Sequence, residues 1–532
     1  MIPARRSGGS DAPRRRPAGR LPIILTLAVV AGSAAPSPGF QAAGRPPSAS
    51  QGPREADVGG PSAPRPPETA PAFAPPIGDP ATPSVPESAP PYPIDLPTAL
   101  RLADGHNPVI GVARVQILEA LAQRSAARAL LLPHLNAGLN YHDHNGPLQR
   151  ASGTILNLKA EQSLYFGGGA RTLAAESVAI PAVNIFSPLT EAIYEPLAAQ
   201  QRLAGVRLNA SATVNAILLD VAALYIDLIG AEATLEARRE SLAEADRIVA
   251  SVVAFAATGQ GRKADAHRAE ADRRLFQAEV QRAEEEVAVA SARLAERLTL
   301  DPSSRLRPLA GPLEPIALVD PEVPTDELIR SAVARRPDLA ARDALAMQAH
   351  YQVNKEKARP FLPTIWLGFS GGAFGGGSAL VPPTLGHFNG RTDFDVRAYW
   401  TLLNFGAGNA SLVKQRKAQF RQAMAERSRV LNQVRSEVAT ARAESLALRS
   451  RVVVARRGLQ SAQEGYRDDQ ARLRETLGKP IEALDSLRLL AGARVNLIRA
   501  ITQANRSQFA LFVSLGAPPP LAPAPISPPP PG

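Results

Sequence analysis

Two hydrophobic periods alternate along this chain, and they recur twice in the same order. The first is a period of two. Leu135, Ala137, Leu139 and Tyr141 fall on one side while Asn136, Gly138, Asn140 and His142 fall on the other, which predicts a strand with one apolar and one polar face. The pattern returns with Ile365, Leu367 and Phe369 against Thr364, Gly368 and Ser370, Trp366 being the exception. After a polar, glycine-rich loop, Phe394, Val396, Ala398, Trp400 and Leu402 alternate with Asp393, Asp395, Arg397, Tyr399 and Thr401, the clearest strand in the sequence. Its first-half counterpart is expected at residues 179–186, where Pro181 suits a strand's start or edge better than its middle.

A period of seven follows each strand pair. Val221, Leu228, Leu235, Leu242 and Val249 are interleaved with Leu224, Ala231, Ala245 and Val252, broken only by Arg238. In the second half Leu431, Val438, Val452, Leu459, Tyr466 and Leu473 are interleaved with Val434, Ala441, Leu448, Ala455 and Ala462, broken by Ser445. These are coiled-coil seams. A continuous helix over 190–255 is roughly 100 Å long at 1.5 Å per residue, a rod rather than an ordinary globular helix. Each rod stops near a glycine, Gly259 or Gly478, and a second helix returns over 263–298 and 481–514. Ahead of the strands, residues 98–107 before Pro108 resemble 325–336 before Pro337. The helical stretches that follow end alike, at Leu132-Pro133-His134-Leu135 and Leu362-Pro363-Thr364-Ile365. Each half therefore reads helix, strand, loop, strand, long helix, turn, helix.

The ends have another character. Arg14, Arg15, Arg16 and Arg20 precede an apolar run over 21–31 and then small residues, which reads as an export signal over 1–35; that run is about half the ~20 residues of a spanning helix, and no other apolar run approaches that length. Residues 36–93 and 517–532 are rich in Pro and Ala, a composition that predicts disorder. Between them lie a first repeat over 94–312 and a second over 313–516. The chain has no cysteine, which excludes disulfides, thiolate metal sites, a cysteine nucleophile and a lipidated N-terminal cysteine. Its formal charge of +11 comes from Arg scattered among Glu and Asp along the helices, which does not fit a nucleic-acid partner.

Four strands with an apolar and a polar face need lipid on one side and water on the other, yet four cannot close into a barrel. Subunits must pool them. Three copies give twelve strands on a helical tube; two or four would also satisfy closure.

At this point the sequence resembles the TolC family of outer-membrane efflux proteins. The resemblance rests on Asn107-Pro108 and Arg336-Pro337-Asp338 at the duplicated helix starts, the Leu-Pro strand starts, Leu403-Asn404-Phe405-Gly406 opening a long helix, and Ala222-x-x-Tyr225 within one. It implies a mainly α fold with a membrane β-barrel part, a homotrimer with a 12-stranded β-barrel in outer-membrane lipid, and a long periplasmic α-helical barrel. It also implies a passive duct for efflux or type I secretion, whose periplasmic end meets an adaptor protein and an inner-membrane transporter. Three features depart from the family: the stretch from Tyr141 to Val178 is longer than its second-half equivalent and holds Gly167, Gly168 and Gly169, the Pro-rich stretch before Ile94 is long, and the cysteine that many members carry near the mature N-terminus is missing.

The two helical turns carry the candidate site. Thr258, Gly259 and Asp265 on one, and Gly478 and Lys479 on the other, are the expected tip and adaptor contact by that resemblance. Glu482 and Asp485 are candidates for an acidic ring at the aperture, Asp485 standing one position from the usual spacing. An acid in a helix's first turn is equally what a cap requires. A ring of like charges in a narrow pore would attract cations and repel anions. His142-Asp143-His144, with His134 nearby, has loose spacing for a metal and reads as a polar loop. The clusters at 167–169 and 371–377 lack nucleotide-loop spacing and read as flexible loops; no catalytic constellation, cofactor or metal site is assigned. Tyr141, Trp366, Phe369, Phe394, Tyr399 and Trp400 sit where interfacial aromatic girdles are expected. The competing reading is an envelope-associated coiled-coil scaffold without a pore, which leaves the recurring strand pairs unexplained.

Overall fold

The computed structural model describes residues 91–520, apart from 133, 151, 170–171, 174–178, 181–182, 259–260, 310, 312 and 476–477. All lie in one compact unit. The expected export signal, nearly all of the Pro-rich segment, most of the tail, and Pro133, Pro181 and Gly259 lie outside the described residues.

The first half begins with β1 (Tyr92–Ile94), α1 (Leu96–His106) and α2 (Pro108–Arg128). Asp95 accepts from the Thr98 amide and Asn107 from the Val109 amide, each at 2.9 Å, so each helix is capped by the side chain before it. Pro108 at the first helical position separates α1 from α2, because its ring disfavours a helical residue before it. Then come β2 (Asn136–Gln149), β3 (Ile155–Gly169), the short pair β4 (Thr172–Leu173) and β5 (Ala179–Ile180), β6 (Val183–Pro188), α3 (Leu189–Ala257) and α4 (Lys263–Arg297). The second half runs β7 (Leu306–Pro308), α5 (Thr325–Arg335), α6 (Pro337–Ala358), β8 (Thr364–Ser378), β9 (Val381–Tyr399), α7 (Ala407–Arg474) and α8 (Pro480–Ser514). At the mouth of α7, Asn404, Phe405 and Gly406 take left-handed φ of 48°, 55° and 92°, and buried Asn409 accepts from the Leu403 amide at 2.7 Å. That tight reversal turns a strand into a rod.

The two long helices run the length of the rod, and shorter helices share their flanks. α3 packs on α4, α8, α2 and α6, while α7 packs on α8 and α6. The predicted seams are the buried stripes: Val221, Leu228, Val249 and Val252 on α3, and Val434, Val438, Val452, Tyr466 and Leu473 on α7. The two breaks in the heptads are satisfied. Arg238 pairs with Glu279 of α4, and buried Ser445 accepts from the Gln508 amide at 2.6 Å. One 18-residue stretch of α3 has the length and composition of a membrane span, contrary to the expectation from the sequence, but α3 is instead a packed core helix of the rod.

Tyr225 sits in the cluster that joins α1, α3, α4 and α8, its hydroxyl donating to the Ile94 carbonyl at 3.4 Å; burial, aided by the charge of Asp95, pushes its phenol up to about 12. Phe509 of α8 is fully buried in the same cluster. Phe509→Ala is expected to cost about 3–5 kcal/mol, read as a lower denaturation midpoint of the purified protein.

Buried polar residues tie down the connector between the halves. Asn505 accepts from the Ile316 amide at 2.8 Å and donates to the Glu314 carbonyl at 2.9 Å; Gln508 accepts from the Leu318 amide at 3.0 Å; Arg442 donates to the Val323 carbonyl at 3.0 Å. β1 and β7 pair in parallel beside it.

The large sheet runs β2, β3, β8, with β9 on the far side of β8 and β6 beside the lower part of β8. All its pairs are antiparallel. The first-half strand expected at 179–186 is in part β5 and β6, but β3 is a long strand that the sequence pattern did not mark. Gly167, Gly168 and Gly169 lie in β3 and 371–377 in β8, so both glycine clusters belong to strands and not to flexible loops. The reason is steric. A Cβ on Gly372 would meet the Phe166 carbonyl oxygen at 2.5 Å and the Gly167 Cα at 2.8 Å, with the Tyr165 hydroxyl at 2.9 Å.

Candidate functional site

One face of this sheet is apolar and open. Leu139 stands opposite Phe166, Leu367 opposite Val396, and Phe369 opposite Phe394. Phe166 and Phe394 are 68% and 70% exposed. Apolar side chains presented this way need a non-aqueous neighbour. The other face is polar: Arg391, Asp393, Asp395 and Arg397 of β9, with His142 and His144 of β2.

Trp366 and Tyr399 belong to the polar face by register, so only Tyr141, Phe369, Phe394 and Trp400 of the expected girdle remain on the apolar side or its continuation. Trp366 lies under the Arg397 guanidinium, 4.8 Å from the ring centroid, and Arg391 stands 5.2 Å over Phe374. These cation–π contacts explain the exception in the alternation. Ser370 donates to Asp393 at 3.2 Å. His142 and His144 share a face and stack at 6.5 Å; among the described residues no group of three or more His, Cys, Asp or Glu stands where it would hold a metal ion.

The sheet is not closed. β2 pairs with β3 and β9 pairs with β8 among the described residues of the sheet, leaving one edge of each without a ladder partner. Long strands with an unpaired edge are templates for another chain.

At the other end of the rod the two turns come together. Asp265, Gly478 and Lys479 line one cleft of about 530 Å³ with Arg262, Phe255 and Pro480. Thr258 caps α3, its hydroxyl donating to the Ala254 and Phe255 carbonyls. Asp265 pairs with Arg268 at 3.5 Å. Glu482 accepts from the Lys479 amide at 3.2 Å, reaching back from the first turn of α8 to the residue before it, so its geometry is that of a cap. Asp485 is exposed and pairs with Arg488 at 3.1 Å, while Arg488 also reaches buried Asp272 of α4. Arg488 and Asp272 were not singled out in the sequence. The three-residue spacing of Asp485 and Arg488 on a helix was the available signal, but their partner on α4 is far away in the chain.

With this geometry in view, residues 328–517 match the family model described as outer membrane efflux protein. No curated protein sequence matches the chain significantly. Among solved structures, the fold is similar to the outer membrane protein VceC of Vibrio cholerae, at 18% identity and a TM-score of 0.64 over 80% of this chain and 96% of that one. It is also similar to the open-state MtrE outer membrane channel of Neisseria gonorrhoeae, at 19% and 0.63 over 79% and 88%. The CmeC outer membrane channel of Campylobacter jejuni follows, at 15% and 0.62 over 79% and 85%. Residues 328–517 thus carry a likeness to the outer membrane efflux protein family, and the fold over most of the chain is that of outer membrane channels.

Proposed function

We propose that three copies of this chain pool their strands into a 12-stranded barrel in outer-membrane lipid and their rods into a periplasmic tube, forming a passive duct. In this reading an adaptor protein docks at the turns around Thr258, Gly259, Asp265, Gly478 and Lys479, and an inner-membrane transporter loads substrate for efflux or type I secretion. The observation that carries it is the five-stranded antiparallel sheet, four strands across, with two edges that lack a ladder partner among the described residues, an open apolar face and a polar face. Joining β9 of one copy to β2 of the next satisfies both edges at once, and antiparallel closure leaves no exposed ladder.

Conductance of the detergent-extracted protein in planar bilayers, with oligomer mass from the same sample, tests the reading. Discrete steps from a trimer are expected; a protein that never inserts and shows no trimer overturns it. Asp485→Ala is expected to weaken block of that current by multivalent cations by roughly tenfold, since removing one carboxylate per copy empties a ring of charge. Unchanged block assigns Asp485 to its helix and to Arg488 instead.

A further inference from the structure

The rod has two flanks that no described residue of the same copy covers. Its helices stand in the row α4, α3, α8, α7, each packed on the next, so the outer sides of α4 and α7 are left open at opposite ends of the row. On α4 the side away from buried Phe276 and Ala283 carries Arg274, Ala278, Glu285 and Val289. On α7 the side away from buried Val452 and Ala455 carries Leu446, Val454, Arg457 and Glu464. All eight are exposed. Among the described residues neither Glu285 nor Arg457 has an ion-pair partner.

The two flanks match in height and in chemistry. Contacts inside the rod fix the levels. Arg488 of α8 meets Asp272 of α4, and the two are equally far past Pro480 and Lys263 to within one residue. Gln508 of α8 meets Ser445 of α7, as far before Arg474 as Gln508 is past Pro480, again to within one residue. Counted the same way, Arg274 stands level with Glu464, and Glu285 stands about 8 Å farther from the turn than Arg457 at 1.5 Å per residue, within the combined reach of the two side chains. Moving away from the turn, α4 reads base, acid, then apolar at Ala288 and Val289, while α7 reads acid, base, then apolar at Val454, Val453 and Leu446. Opposite charges therefore face each other at two levels, with apolar residues beyond them.

The internal repeat identifies what covers these flanks. In the second half, α6 packs on its own rod, α7, and on the rod of the other half, α3; its counterpart α2 packs chiefly on its own rod, α3. With Pro108 set on Pro337, Val112 and Val115 take the places of Ala341 and Ala344, which are buried. That face of α6 meets α3, where a Cβ on Gly205 would stand 3.4 Å from the Ala341 carbonyl oxygen. Val112 and Val115 are instead 58% and 62% exposed. The surface that α2 lacks is a second-half rod, and this copy's own α7 lies at the far end of the row. Closure of β9 onto the next copy's β2 brings the missing rod to the right place, since β9 leads into α7 and β2 follows α2. We infer that α7 of one copy docks along α2 and α4 of the next, with Arg457 on Glu285 of the partner subunit and Glu464 on Arg274 of the partner subunit. The inference rests on the trimeric-duct reading above and names the surfaces that hold the rods together.

The test uses the absence of cysteine from the chain. Ala278→Cys combined with Ser461→Cys puts one thiol on each flank at nearly the same height. Within one copy these flanks are three helix spacings apart, roughly 20 Å or more, so a short bismaleimide joins only different copies. From the detergent-extracted protein, covalent dimers and trimers are expected with the double variant and monomers with either single variant. A trimer by native mass that the reagent leaves as monomers overturns this docking while leaving the duct standing, whereas a wild type that forms no trimer removes the duct and the docking together. Charge reversal reads the same surface without a thiol. Arg457→Glu and Glu285→Arg are each expected to lower the trimeric fraction at low salt by at least about fivefold, and to restore it when combined. Single reversals without loss, or a double reversal without recovery, overturn the pairing.

Discussion

Gly372→Ala is expected to reduce folded protein recovered from the outer membrane by at least about tenfold, while Gly168→Ala leaves it near the wild-type level. Both glycines lie in the sheet and both gain a single methyl group. At Gly372 that methyl meets backbone, the Phe166 carbonyl oxygen at 2.5 Å and the Gly167 Cα at 2.8 Å, and backbone cannot move without breaking the β3–β8 ladder. Gly168 has nothing within 4 Å, and a methyl there adds apolar surface to the face that already bears Phe166. Fractionation followed by quantitation of heat-resistant protein measures both. Equal recovery of the two variants would show that glycine in this sheet serves chain flexibility rather than close packing.

The second large effect is expected where rod and sheet meet. Lys355 and Glu356 on α6 are both buried, and Lys355 donates to Glu195 of α3 at 2.5 Å. Arg359 bridges Glu356 and Glu191, each at 2.7 Å. Three carboxylates thus share two cations. Lys355→Met keeps the bulk of the stem but leaves Glu195 and Glu356 with less compensation in a dry site, a loss of about 3–5 kcal/mol at neutral pH.

The pH dependence has a definite sign. Burial pushes the Glu356 carboxyl up, but hydrogen bonds from Arg359 and the charges of Arg359 and Lys355 outweigh it and hold it below its ordinary value of 4.5. A depressed carboxylate stabilises the fold above its unfolded value and loses that contribution as pH falls through the folded one. With Lys355 gone the depression shrinks, so the penalty of Lys355→Met should be full at pH 7 and diminish below about pH 4.5. Thermal denaturation of wild type and variant at the two pH values checks this; a penalty independent of pH would mean that lost packing, not uncompensated charge, is responsible.

Much of the rod was legible in advance because its signals are local. The return helices occupy Lys263–Arg297 and Pro480–Ser514, close to the spans read from heptads and glycines, since every seam residue is fixed by its neighbours three and four positions away. The short strand pattern at Leu135 to Tyr141 was legible for the same reason. β3 was not: Ile155–Gly169 mixes Lys, Glu and Gln with three glycines, and only its ladders to β2 and β8 make it a strand. The candidate tip was half legible. The turns and their acids stand out in sequence, while the pairing of Asp485 with Arg488, and of Arg488 with Asp272 on the other hairpin, depends on how two hairpins separated by the whole sheet region pack.

The sequence by itself determined the duplication, the rods and the two-faced strands, because each follows from a repeat of residue chemistry along the chain. Only the tertiary structure decided which strand pairs with which, that Trp366 lies on the polar face beneath Arg397, that glycines are demanded by backbone contact, and that β3 and β6 meet adjacent residues of β8. Those features are set by contacts between residues far apart in sequence, whose energies depend on distance in space and leave no period in the chain.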